Sequence, residues 1–155
     1  MKFHIEQLAL CPKDPIKAKA LLTAMGAGEW ADDHVIARGL VNDALGQNEA
    51  DLAFEYDMLA DARELEVLHY TAGPNWMSES APRVSHLGMH CSYDELKAWR
   101  KFFTAHGINV AQEVFTKEHS NPVIAGKRWY NYVIFDTYEI LGVDIKLIVR
   151  NVIGS

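Results

Sequence analysis

The chain has 155 residues, of which 49% are hydrophobic and 10% aromatic, and its net charge is -6. That composition supports a packed core and excludes long disorder, while the acidic balance argues against nucleic acid as a partner, since phosphate binding needs clustered Lys and Arg. No apolar run reaches the length of a bilayer span, and the N-terminus leads into no signal-peptide core, so the expectation is a soluble, cytoplasmic protein without a membrane partner.

Phe3 to Cys11 alternates weakly and reads as a strand, with Leu8 and Leu10 on one face and Ile5, Gln7 and Ala9 on the other. Asp14-Pro15 then starts a helix, the Asp as N-cap and the Pro at the first helical position. Leu21, Leu22 and Met25 continue its apolar stripe and Gly26 closes it. His34 to Val41 and Asp51 to Met58 read as a hairpin around the polar stretch Asn42 to Glu49. Glu64 to Tyr70 alternates cleanly, Leu65 and Val67 to one side and Glu64, Glu66, Leu68 and Tyr70 to the other. The first half is therefore βαβββ. Thr71 to Ser85 has the Gly, Pro and Ser chemistry of a linker.

The same order then returns. Val84 to Cys91 is a strand whose alternation puts His86, Gly88 and His90 on one face and Leu87, Met89 and Cys91 on the other. Ser92-Tyr-Asp-Glu95 is a capping box opening an amphipathic helix from Tyr93 to His106. Strands follow at Asn109 to Thr116, Trp129 to Thr137 and Val143 to Arg150. Laying Gln7-Leu-Ala-Leu on His86-Leu-Gly-Met gives an offset of 79 residues, and Glu64-Leu-Glu-Val-Leu on Asp144-Ile-Lys-Leu-Ile gives 80. A near-constant offset reads as an internal duplication. The domain reading is a first module over 1–72, a linker over 73–83 and a second module over 84–155.

Two βαβββ modules, with His86-Leu-Gly-Met in one first strand and Glu64-Leu-Glu-Val-Leu in one last strand, resemble the vicinal oxygen chelate superfamily of glyoxalases, bleomycin-resistance proteins and extradiol dioxygenases. The resemblance implies an α+β fold in which the modules form an incompletely closed sheet around a central cleft. It implies that Gln7, Glu66, His86 and position 146 meet there, and that a divalent metal (Zn, Ni, Mn or Fe) sits on Gln7, Glu66 and His86. Position 146 departs from the family, because Lys146 stands where glutamate is usual. An ammonium offers no lone pair and repels a divalent ion. By resemblance the chain also assembles as a homodimer, an expectation that a 17.5 kDa monomer in sedimentation would contradict.

If those four positions face the cleft as the resemblance implies, strand parity adds Glu64, His90, Asp144 and Arg150 to the same face, and leaves Leu65, Val67, Leu87, Met89, Ile145, Leu147 and Val149 for the helix side. The plain reading of that alternation is a sheet with one wet face. The functional readings are two. In one, the cleft binds a small, anionic or oxygenated molecule without a metal, with Lys146, Arg150, Asp144 and Glu64 as ligand-binding residues. In the other, the chain is a metal-dependent lyase, isomerase or dioxygenase of the glyoxalase I type, with His86, Glu66 and His90 as catalytic residues. Lys127, Arg128, Trp129, Tyr130 and Tyr132 gather cations and aromatics that suit an anionic ligand or a core strand. Cys11 and Cys91, both near strand ends, read as free thiols.

Overall fold

The computed structural model describes residues 1–41, 44–72, 85–114 and 128–152, with the backbone alone at 36–41, 44–47, 128–130 and 150–152. The element order is β1 (Gln7–Leu10), α1 (Pro15–Ala24), β2 (Ala31–Val41), β3 (Ala44–Glu55), β4 (Glu64–Ala72), β5 (His86–His90), α2 (Tyr93–Ala105), β6 (Val110–Val114), β7 (Arg128–Phe135), α3 (Tyr138–Leu141) and β8 (Asp144–Val152). The fold is α+β. The eight strands among the described residues form one curled sheet in the order β1-β4-β3-β2-β6-β7-β8-β5, and β5 pairs back onto β1. In each run of four, the first strand lies parallel to the last (β1 to β4, β5 to β8), and the other neighbours within the run are antiparallel. Two short seams join the runs, three residue pairs at β1–β5 and two at β2–β6.

Local chemistry accounts for most boundaries. Asp14 Oδ1 accepts from Lys17 N at 3.0 Å, which starts α1 at Pro15. Ser92 and Glu95 complete the capping box of α2, with Ser92 N donating to Glu95 Oε2 at 2.7 Å and Glu95 N to Ser92 Oγ at 3.2 Å. Two expectations change. The hairpin arm assigned to a polar loop is strand from Ala44 onward, because the backbone ladder continues up to Val41 opposite Ala44 regardless of side-chain polarity. The same strand stops at Glu55 rather than Met58. Glu55, fully buried, accepts from the N–H groups of Asp57 (2.7 Å), Met58 (3.0 Å) and Gly28 (2.9 Å), and so folds the chain back on itself. The sequence reading also missed α3, which Gly142 closes in the left-handed region at φ 77°. The linker residues 73–83 and Lys127 lie outside the described residues.

The sheet packs on both faces. On the outer face, Leu96, Trp99 and Phe103 of α2 settle on Met89, Val133, Phe135, Ile145, Leu147 and Val149, with Phe103 stacked on Phe135 at 4.2 Å. On the inner face, Cys11, Ala50, Leu68, Ala111 and Ile134 form a second apolar cluster flanked by Val35, Leu52, Tyr70 and Tyr132. The wet inner face expected from alternation is therefore not what forms. Curling brings opposite walls together, and Gln7, Glu66, His86 and Asp144 on that face are buried along with its apolar cluster, while Glu64, His90 and Lys146 stay half-buried.

Candidate functional site

Two adjacent rows across β8, β5, β1 and β4 build the polar group. Lys146, Gly88, Gln7 and Glu64 lie opposite one another in one row, and Asp144, His86, Ala9 and Glu66 in the next. The small residues in the middle matter. Above Gly88 the Gln7 side chain can lie flat, and a Cβ there would sit 2.9 Å from Gln7 Oε1. Over Ala9, His86 reaches toward Glu66. The result is that His86 Nε2 lies 2.8 Å from Gln7 Oε1 and 3.7 Å from Glu66 Oε2. Gln7 Nε2 donates onward to Glu64 Oε1, and Tyr56 OH donates to Glu64 Oε2 at 3.0 Å.

Gln7, Glu66 and His86 are thus brought together, at 4%, 2% and 1% exposure. Burial raises the Glu66 carboxyl to about 7; the Lys146 ammonium opposes that rise and Glu64 adds to it. Glu66 Oε2 has no hydrogen-bond partner among the described residues. Lys146, half-buried, stands over the Tyr132 ring at 4.6 Å. Among the described residues it makes no direct ion pair with Glu66 or Asp144, and it acts on Glu66 through space.

The other sequence candidates divide. Asp144 is buried beside His86 in the β5–β8 register. Glu64 joins the group through Gln7. His90 shares the face but lies at the half-exposed rim, where its backbone N and Nδ1 meet Glu6 Oε2 at 2.8 and 2.9 Å. Burial pushes the Glu6 carboxyl up, yet the two hydrogen bonds from His90 together with the His90 and His4 charges hold it below its ordinary range. The side chains of Arg150, Arg128, Trp129 and Tyr130 lie outside the description. Tyr132 faces inward, and Gln112 Nε2 donates to its OH at 2.9 Å.

Cys11, Tyr70 and Gln112 also belong to this inner wall, and the sequence reading did not place them in the site. For Cys11 and Tyr70 a signal existed, since each shares strand parity with Gln7 or Glu66. Burial first, then the Glu66 charge, pushes the Cys11 thiol up to about 12, so it is a poor nucleophile. Cys91 rises to about 11, again mainly through burial, and both thiols are free.

The donor set does not fit a divalent ion. The Glu66 carboxylate, the His86 imidazole and the Gln7 amide converge with the Lys146 ammonium across the row, which offers no lone pair; among the described residues no three His, Cys, Asp or Glu side chains are grouped to hold a metal. No family model matches the chain, and no curated protein matches it. No helix among the described residues is long and apolar enough to cross a membrane.

Proposed function

We propose that the chain is a glyoxalase/bleomycin-resistance/dioxygenase-like protein of two βαβββ modules that binds a small anionic or oxygenated molecule beside His86 and Lys146, without a metal. One observation carries this reading. Gln7, Glu66 and His86, from the first and last strands of the two runs, converge on one polar group, and the fourth position holds the Lys146 ammonium on the Tyr132 ring. A side-chain cation there does the electrostatic work a metal would otherwise do, and it attracts a negative group. Glu66 Oε2, which accepts no hydrogen bond from the described residues, supplies an acceptor for a ligand hydroxyl.

The competing reading, a metal-dependent lyase, isomerase or dioxygenase, is favoured by that same buried oxygen, which a cation would satisfy. Titration of untagged protein with lactate, glycolate and pyruvate, followed by thermal shift and calorimetry, separates the two. Binding of at least one acid is expected, weakened about tenfold (about 1.4 kcal/mol) in Lys146→Met. Stoichiometric divalent metal in the purified protein, with no binding of any acid in its absence, would overturn the binding reading. Lys146→Glu is expected to gain affinity for nickel or zinc.

A further inference from the structure

We infer that Glu64 is a positioning residue that fixes which ring nitrogen of His86 carries its proton, and that it does so through the Gln7 amide. Gln7 Nε2 donates to Glu64 Oε1. A carboxylate accepts and cannot donate, so this contact assigns the nitrogen end of the amide to Glu64 and the oxygen end to His86. Tyr56 OH, on the exposed side, donates to the other carboxylate oxygen at 3.0 Å and holds it in place. The oxygen end of Gln7 lies 2.8 Å from His86 Nε2. An amide oxygen has no proton to give, so Nε2 carries the hydrogen of that bond.

The register makes the chain of contacts coherent. Gln7 lies opposite Glu64 on one side and Gly88 on the other, so one end of its amide reaches Glu64 in its own row while the other meets His86 in the next. Along the contacts Tyr56–Glu64–Gln7–His86 the donors and acceptors are mutually consistent. The consequence concerns recognition. The His86 nitrogen nearest Glu66 presents an N–H and no lone pair. A metal at that nitrogen would require the ring to shift its proton and Gln7 to turn away from Glu64. This deepens the metal-free binding reading above and rests on it for its functional meaning, although the tautomer itself is measured without any ligand.

The test is long-range proton–nitrogen NMR on the full chain labelled at histidine, with the His86 signals assigned by their loss in His86→Asn. The wild type is expected to show a protonated Nε2 and an unprotonated Nδ1. Glu64→Gln, which keeps the shape but lets the Gln7 amide turn over, is expected to populate the other tautomer and move the Nε2 resonance toward its unprotonated position. Gln7→Leu is expected to do the same and stands in if Glu64→Gln fails to fold. Tyr56→Phe should leave the tautomer unchanged, because Glu64 still accepts from Gln7. A wild-type ring protonated at Nδ1 or at both nitrogens at neutral pH overturns the inference, as does a tautomer unmoved in both variants. A wild-type tautomer as expected, in a protein that binds none of the probe acids, defeats the binding reading and leaves the role of Glu64 standing.

Discussion

Helices α1 and α2 each follow a strand and each begin with a side-chain cap, yet only α2 is anchored. It buries Leu96, Trp99 and Phe103, whereas α1 buries no residue and leaves Leu21 and Met25 exposed at 63% and 64%. The difference is one of phase, not of apolar content. In α2 the three large residues recur at spacings of three and four and fall on one stripe. In α1, of the stripe expected from Leu21, Leu22 and Met25, only Leu22 turns inward. The helix runs along β4 with the smaller Ala18 and half-buried Leu22 on its inner side, and Leu65 and Val67 beneath it are buried all the same. A cap fixes where a helix starts; the spacing of its large side chains decides whether it holds the fold together.

The sharpest way to break this comparison is truncation on the two helices. Phe103→Ala removes the stack on Phe135 and is expected to cost about 3–5 kcal/mol, while Leu21→Ala should stay within about 0.5 kcal/mol of the parent. Urea denaturation of both variants decides it. Equal losses would mean that α1 carries as much of the core as α2.

The inner wall invites a similar comparison between its acid and its cation, Glu66 and Lys146, which hold corresponding places in β4 and β8. Glu66 is fully buried with its carboxyl raised to about 7, from about 4.5 in an open chain, mainly by burial. The sign follows from linkage. A carboxyl whose folded value lies above its unfolded value folds more readily protonated, so its contribution is complete below about 4.5 and is lost as pH rises through about 7. A rise of that size corresponds to about 3 kcal/mol. Glu66→Gln, which cannot ionise, is therefore expected to be less pH-sensitive, and to gain stability relative to the parent by about 3 kcal/mol between pH 4 and pH 8. Denaturation midpoints at the two pH values check this, and parallel curves for parent and variant would mean that the Lys146 charge cancels the burial of Glu66.

Much of this arrangement was legible in the residues before any coordinates. The caps at Asp14 and Ser92 are local chemistry, and local chemistry survives folding. The family resemblance, not alternation, set Gln7, Glu66, His86 and Lys146 against one another, and in the structure they fall in two adjacent rows; alternation relates only residues within one strand, such as Glu64 to Glu66. What alternation could not say is whether the inner face would be wet. Burial there depends on the curl that closes β5 onto β1, a relation between residues about 80 positions apart in sequence. The same limit explains Lys146, which settles on the Tyr132 ring of a neighbouring strand, and part of the grip by which Glu55 ends β3 early, since one of its three backbone donors is Gly28.

The smallest expected effect concerns the middle of the two rows, where the sheet again treats its first strands differently. Ala9 in β1 and Gly88 in β5 occupy the small-residue positions, and Ala9 is fully buried with its methyl accommodated. Gly88 has no such room. A Cβ added there would lie 2.9 Å from Gln7 Oε1 and 3.1 Å from Gln7 Cβ. The amide end could swing aside, but the Cβ is tied to the β1 backbone, so relief must come from the strand or from the Gln7 rotamer. Gly88→Ala is expected to cost about 1–3 kcal/mol and to lengthen the His86–Gln7 hydrogen bond. Gln7→Ala in the same background removes Oε1 but keeps the Cβ, and should recover part of the loss; additive losses in the double variant would show that the clash is with the retained Cβ rather than with the amide that meets His86.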